Sequence, residues 1–128
     1  MPYEYVRDDT AQRIRITLTD PLTVAERIAA VEQQVADDAW RYGTLIDARS
    51  LAVYKAKPTE MQAVVARVAE FVAAYGPRGA VAIVSNRAAV IGAGQMYNSI
   101  GGKRNAVEVF WDLDEARRFL AQQDANNP

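Results

Sequence analysis

The 128-residue chain has no cysteine and no histidine, and each absence removes a class of chemistry. Without cysteine there can be no disulfides, thiolate nucleophiles, zinc ribbons or cysteine-held iron–sulfur clusters. Without histidine there is no Ser-His-Asp triad, and most zinc sites are excluded. Long apolar runs are also lacking: no stretch approaches the roughly 18 residues that span a membrane. The start, Met-Pro-Tyr-Glu-Tyr, shows no basic region leading into an apolar one, as a signal peptide would. A cytoplasmic protein with no cofactor and no metal is the expectation. Any enzyme would have to work with carboxylates, hydroxyls, lysine, arginine and tyrosine.

Half of the residues are hydrophobic and 24% are charged, an ordinary globular balance. A chain of this length buries roughly two thirds of its unfolded surface, enough for a core without metals or cross-links. One domain over residues 1–123 is expected, with 124–128 as a frayed tail. The net charge of −1 gives no general sign of nucleic-acid binding, but it is unevenly spread. Residues 48–107 carry eight bases against two acids, a net of +6, while the rest carry seven bases against fourteen acids, a net of −7.

The apolar periodicity alternates between two and 3.6. Ile14, Ile16 and Leu18 alternate with Arg13, Arg15, Thr17 and Thr19, as in a strand with one wet face. Tyr3–Val6 precedes them across an Asp-Asp-Thr turn, predicting a hairpin. Thr23 and Glu26 have capping-box spacing, and Val24, Ile28, Val31 and Val35 then form a helical stripe ending near Asp37. Thr44–Asp47 and Ala80–Val84 are short apolar runs that read as buried strands. Between them, Pro58 and a Thr59/Gln62 box open a long helix with Met61, Val64, Val65, Val68, Val72 and Tyr75 inward, which Gly76-Pro77 stops. A helix from Arg87 to Ile100 carries Val90, Ala93, Met96, Tyr97 and Ile100 on one side. A strand over Ala106–Trp111 follows, and then a last helix opened by Asp112 with Leu113, Ala116, Phe119 and Leu120 inward. The fold class is therefore α/β: a mixed sheet of about five strands in the order β-β-α-β-α-β-α-β-α, antiparallel at its start and parallel thereafter.

This pattern resembles the STAS fold of sulfate transporters and anti-sigma-factor antagonists, in particular its SpoIIAA-like branch of small stand-alone bacterial proteins. The resemblance rests on Leu45-Ile46-Asp47-Ala48-Arg49-Ser50-Leu51, on Arg78-Gly79 leading into Ala80–Val84, and on Val109-Phe110 followed by Asp114-Glu115-Ala116 and Phe119-Leu120. It implies a non-catalytic regulatory module. Antagonists of the family carry Asp-Ser-Ser-Gly, with a phosphorylated serine, at the helix after the Asp-ending strand. Here that stretch is Tyr54-Lys55-Ala56-Lys57-Pro58-Thr59-Glu60, where Thr59 is the nearest hydroxyl. A helix cap is the simpler role for Thr59 than a phosphorylation site.

Two candidate sites follow. Ligands of parallel sheets favour the crevice beyond the carboxyl ends of the strands, where Asp47, Arg49, Ser50, Tyr54, Lys55, Lys57, Thr59, Ser85, Asn86 and Arg87 are expected to gather. That edge suits a protein partner or a small anionic ligand. The other candidate is an apolar, lipid-like molecule between the sheet and the Arg87–Ile100 helix, over Gly92, Gly94, Met96, Tyr97 and Ile100, which requires a pocket of a few hundred Å³. Gly92-Ala93-Gly94 lies inside a helical pattern and does not form a dinucleotide or phosphate loop. An enzyme would need Asp47 with Lys55 or Lys57 as an acid–base pair, and nothing in their spacing demands it. Trp40, Tyr42, Phe110 and Trp111 read as core and rim packing, without the interleaved bases of a nucleic-acid surface. Self-association through the Trp111 strand or an open sheet edge is compatible with the pattern.

Overall fold

A computed structural model describes residues 3–54, 57–101 and 107–126. The strands are β1 (Tyr3–Asp8), β2 (Arg13–Thr19), β3 (Gly43–Ser50), β4 (Val81–Val84) and β5 (Val107–Phe110). The helices are α1 (Val24–Ala36), α2 (Pro58–Tyr75), α3 (Ala88–Gly101) and α4 (Leu113–Asn126). The chain is α/β, as the periodicity predicts. Its five strands lie in the order β1-β2-β3-β4-β5, with β1 antiparallel to β2 and every later pair parallel.

Strand alternation divides the core into two layers. Ile14, Ile16, Leu18, Ile46, Ala48, Val81, Ile83 and Val107 face the layer of α1, α2 and α3. Leu45, Ala82 and Val84 face the opposite way, against Ala116 and Leu120 of α4. The parallel strands of β3 and β4 are thus apolar on both faces, which is why they read as continuous hydrophobic runs. The α4 side is only partly roofed, because α4 packs on β3, β4 and β5 and leaves β1 and β2 uncovered there.

The local signals were mostly those of the sequence, with four exceptions, one of them Tyr75, expected inward but 55% exposed at the end of α2 where the helix runs past the core. Thr23 accepts from the Glu26 backbone N–H (3.2 Å) and donates to Glu26 Oε1 (2.7 Å), capping α1 as its spacing predicts. At α2 the cap position falls on Lys57, without a side-chain bond, and Pro58 takes the first turn. Thr59 is therefore an exposed residue inside the helix and not its cap, because Pro, with no N–H to satisfy, moves the start two residues earlier. The tail is also shorter than expected: α4 runs on to Asn126, and Asp124 accepts from Arg13 Nη2 at 2.7 Å. Trp111 is 72% exposed and packs no core. Trp40, by contrast, is buried, edge-to-face with Phe71, and donates to the Gly76 carbonyl.

The two glycines of α3 have different roles. A Cβ on Gly94 would come within 2.5 Å of Val109 Cγ2, so this residue lets α3 lie close on β5, whereas a Cβ on Gly92 meets nothing. Gly92→Ala should therefore stabilise by about 0.5–1 kcal/mol through helix propensity alone. At Gly94→Ala the clash should outweigh that gain, with a net loss of about 1–2 kcal/mol. Urea unfolding of the two variants checks the opposite signs, and equal effects would refute the packing assignment.

Candidate functional site

The α1–α3 side of the sheet is not filled. A cavity of about 80 Å³ lies between the strands and these three helices. Its walls are hydrocarbon from Ile16, Leu18, Ile46 and Ile83 of the sheet and from Val64, Val68, Val90 and Ala93 of the helices. Four polar side chains also line it: Arg27, Tyr54, Arg78 and Tyr97. No carboxylate or amine lines it among the described residues.

Arg78 reaches the cavity because its short connection is tightly clamped. Gly76, at φ +90°, turns the chain out of α2, and the Gly76 carbonyl accepts from Trp40 Nε1 at 2.8 Å. Gly79 donates to the Trp40 carbonyl at 3.0 Å, and a Cβ there would collide with the Tyr42 and Arg41 carbonyl oxygens. Glycine is required at both positions, one for its backbone angle and one for close approach. Between them, Arg78 lays its guanidinium over the Trp40 ring (5.1 Å to the centroid) and donates from Nη2 to Gln34 Oε1 at 2.7 Å. Gln34 is fully buried, and its Nε2 donates to the Ala39 carbonyl (2.9 Å) and to Thr44 Oγ1 (3.2 Å), which orients its oxygen toward Arg78.

Around this network lie polar atoms without partners. Arg78 Nε and Tyr97 Oη are buried and make no well-formed hydrogen bond among the described residues, although the phenol lies beside the guanidinium and the two interact. Arg27 donates to Tyr54 Oη at 3.0 Å and sits over its ring, and no carboxylate pairs with either arginine among the described residues. Burial pulls the Arg78 guanidinium below its ordinary proton affinity, and the nearby Arg27 charge pulls it in the same direction. A guanidinium nevertheless stays protonated at neutral pH. Burial also pushes the Tyr97 phenol up, opposed by the charges of Arg78 and Arg27. Tyr97 is therefore a neutral donor standing beside a poorly compensated cation.

Of the residues expected to form the pocket, Gly94 and Tyr97 line it; Gly92 is exposed and Met96 is half-buried away from its walls. The side chain of Ile100 lies outside the described residues. The volume falls short of the few hundred Å³ that a lipid-like ligand needs, because Val64, Val68 and Ala93 close α2 and α3 down on the sheet.

The expected basic edge is dispersed. Asp47 points to the α4 side of the sheet, where it accepts from Arg49 Nε (2.9 Å), Nη2 (2.8 Å) and backbone N–H (3.1 Å), with Arg15 4.0 Å away. Lys57 begins α2 on the other side of the sheet and pairs with Glu60 at 3.9 Å, so Asp47 and Lys57 form no acid–base pair. Ser85 is fully buried and accepts from the Arg87 N–H at 3.1 Å. Ser50, Asn86 and Arg87 are exposed, and Tyr54 belongs to the cavity. Lys55 lies outside the described residues. Arg78, Arg27 and Gln34 were not among the sequence candidates. The available signals were a lone arginine between two glycines ahead of an apolar strand, and a glutamine three residues after Val31 on the inner stripe of α1.

The hydrogen bonds from Arg49 hold the Asp47 carboxylate below its ordinary value of 3.8. Its stabilisation is thus present above that value and is lost as pH falls through the lower value in the folded state. With Arg49 half exposed to solvent, the contribution is about 1 kcal/mol. Asp47→Asn should cost that much at pH 7 and little at pH 2.5, which urea unfolding at both values would read. An equal cost at both would show that the ion pair contributes nothing.

Among the described residues no helix is long and apolar enough to cross a membrane. No known family and no curated protein matches the chain, so its functional reading rests on the geometry of this cavity.

Proposed function

We propose that the protein is a non-catalytic binding module that holds a small, largely apolar molecule in the cavity between its sheet and α1–α3. The supporting observation is the concave space itself, about 80 Å³ lined by hydrocarbon with four polar groups at its walls. Ligand sites are typically concave and mostly apolar, with a few convergent polar groups. Guanidinium and phenol groups bind and orient a ligand; among the described residues no carboxylate or amine stands at the walls. The outer edge is the weaker reading, since Arg49 is neutralised by Asp47 and lies across the sheet from Lys57. A STAS-like, SpoIIAA-like module in a bacterial cytoplasm fits the element order and remains part of the proposal, as does self-association.

Methyl-selective NMR with the neutral probe 3-methylbutanamide tests this reading. Shifts should concentrate on Val64, Val90 and Ala93 and spare Leu120 and Ala116 across the sheet. No saturable shift, or shifts centred on the exposed edge, would refute it.

A further inference from the structure

We infer that the natural ligand of the cavity is a short aliphatic monocarboxylate, its acid group bound by Arg78 and Tyr97 and its hydrocarbon against the walls formed by Val64, Ile83 and Ala93. The inference rests on the cavity-binding reading and adds the charge, size and orientation of the ligand.

Charge comes from what the site lacks. A cation held in a largely buried site is normally paired with an anion, yet Arg78, half-buried with its Nε enclosed, has among the described residues no anionic side-chain neighbour: it meets Gln34 Oε1, the face of Trp40 and the Tyr97 phenol. Its Nε makes no well-formed hydrogen bond, and neither does Tyr97 Oη, on a residue only 5% exposed. Both line the same cavity, with Arg27 as a second cation at its wall. Two idle donors and uncompensated positive charge call for an acceptor carrying negative charge. A planar carboxylate satisfies both, because each of its oxygens accepts and a guanidinium presents donors in matching geometry.

Size comes from the volume. At roughly 10–15 Å³ per water-sized atom, 80 Å³ accommodates about five to eight non-hydrogen atoms. Less the two carboxylate oxygens, that is a carboxylic acid of roughly three to six carbons. The remaining walls are hydrocarbon, so the rest of the molecule is expected to be unsubstituted alkyl; a multiply hydroxylated acid or inorganic phosphate would leave polar atoms without partners there.

The test is titration calorimetry of the intact protein at pH 7 and constant ionic strength with two isosteric probes, 3-methylbutanoate and neutral 3-methylbutanamide. The acid should bind the native protein at least about tenfold more tightly than the amide, the scale of one charge-assisted bidentate contact. Arg78→Met should abolish that preference while leaving amide affinity within about threefold, and Tyr97→Phe should reduce acid affinity severalfold. Arg49→Met, outside the cavity, should change neither. If Arg78→Met fails to fold, Arg78→Lys serves in its place: it keeps the charge, loses the planar fork, and should still weaken the acid selectively. Equal binding of acid and amide by the native protein, a preference that survives Arg78→Met, or one left undiminished by Arg78→Lys, would overturn the carboxylate inference and leave the cavity reading standing. Binding of neither probe would overturn both.

Discussion

Replacing Gln34 with Leu should destabilise the protein by about 3 kcal/mol. The side chain is 0% exposed and connects three groups: the Ala39 carbonyl, Thr44 Oγ1 and Arg78 Nη2. Leucine fills a similar volume but removes the Gln34 hydrogen bond of a guanidinium that has no carboxylate partner among the described residues, and it leaves the buried Thr44 hydroxyl without Gln34, while the Ala39 carbonyl keeps the Tyr42 N–H. Unsatisfied neutral groups cost about 1–3 kcal/mol each and a stranded charge more, moderated here by whatever water enters. The diagnostic result is the double variant. In Gln34→Leu/Arg78→Met the cation is gone, so the combined loss should be about 2 kcal/mol smaller than the sum of the single losses. Urea unfolding with an unchanged m-value measures this. Simple additivity would show that Gln34 does not support Arg78.

The second large effect lies on the other face. Leu120→Ala should cost about 3–4 kcal/mol, because α4 is a polar helix whose fully buried contacts are few. Leu120 (1% exposed) and Ala116 (0%) meet Leu45, Ala82 and Val84, with Phe119 against Phe110 at the rim. The Arg13–Asp124 pair at 2.7 Å has its carboxylate half exposed and adds about 1 kcal/mol. Since the sheet separates Leu120 from the cavity, affinity for 3-methylbutanoate should stay within about twofold. A loss below about 1 kcal/mol would mean that α4 is anchored elsewhere.

The architecture was legible because each element carries its own period. Ile14, Ile16 and Leu18 announce a one-sided strand, Ala80–Val84 a strand buried on both faces, and Met61 to Val72 a helix packed along one stripe. Strand ends were less visible: β3 runs to Ser50, beyond its apolar stretch, because pairing of Ser50 with Thr19 extends the ladder.

The site was less legible, and the reason is side-chain length. Spacing places a Cα on a face but not the end of a long side chain. Arg27 lies off the apolar stripe of α1, yet its guanidinium reaches Tyr54 and the cavity wall. Arg78 counted only as one of eight bases in a positive segment, and the fold sends it inward while Arg49 goes to the opposite face and Arg67 to Glu32 and Glu70. Among the described residues, the bases of the positive segment therefore do not gather on one surface. Tyr97 was placed correctly, because it shares a helical stripe with Val90 and Ala93.

The central claim is that this protein keeps an interior space for a small molecule. A crystal structure of the full chain grown with 3-methylbutanoate tests it most directly. The account predicts the alkyl group enclosed between β3–β4 and α2–α3, its carboxylate within hydrogen-bonding distance, about 3 Å, of Arg78 Nε and Tyr97 Oη. A ligand seated at the exposed rim near Lys57 and Arg87, or a closed interior with the ligand absent, would contradict it.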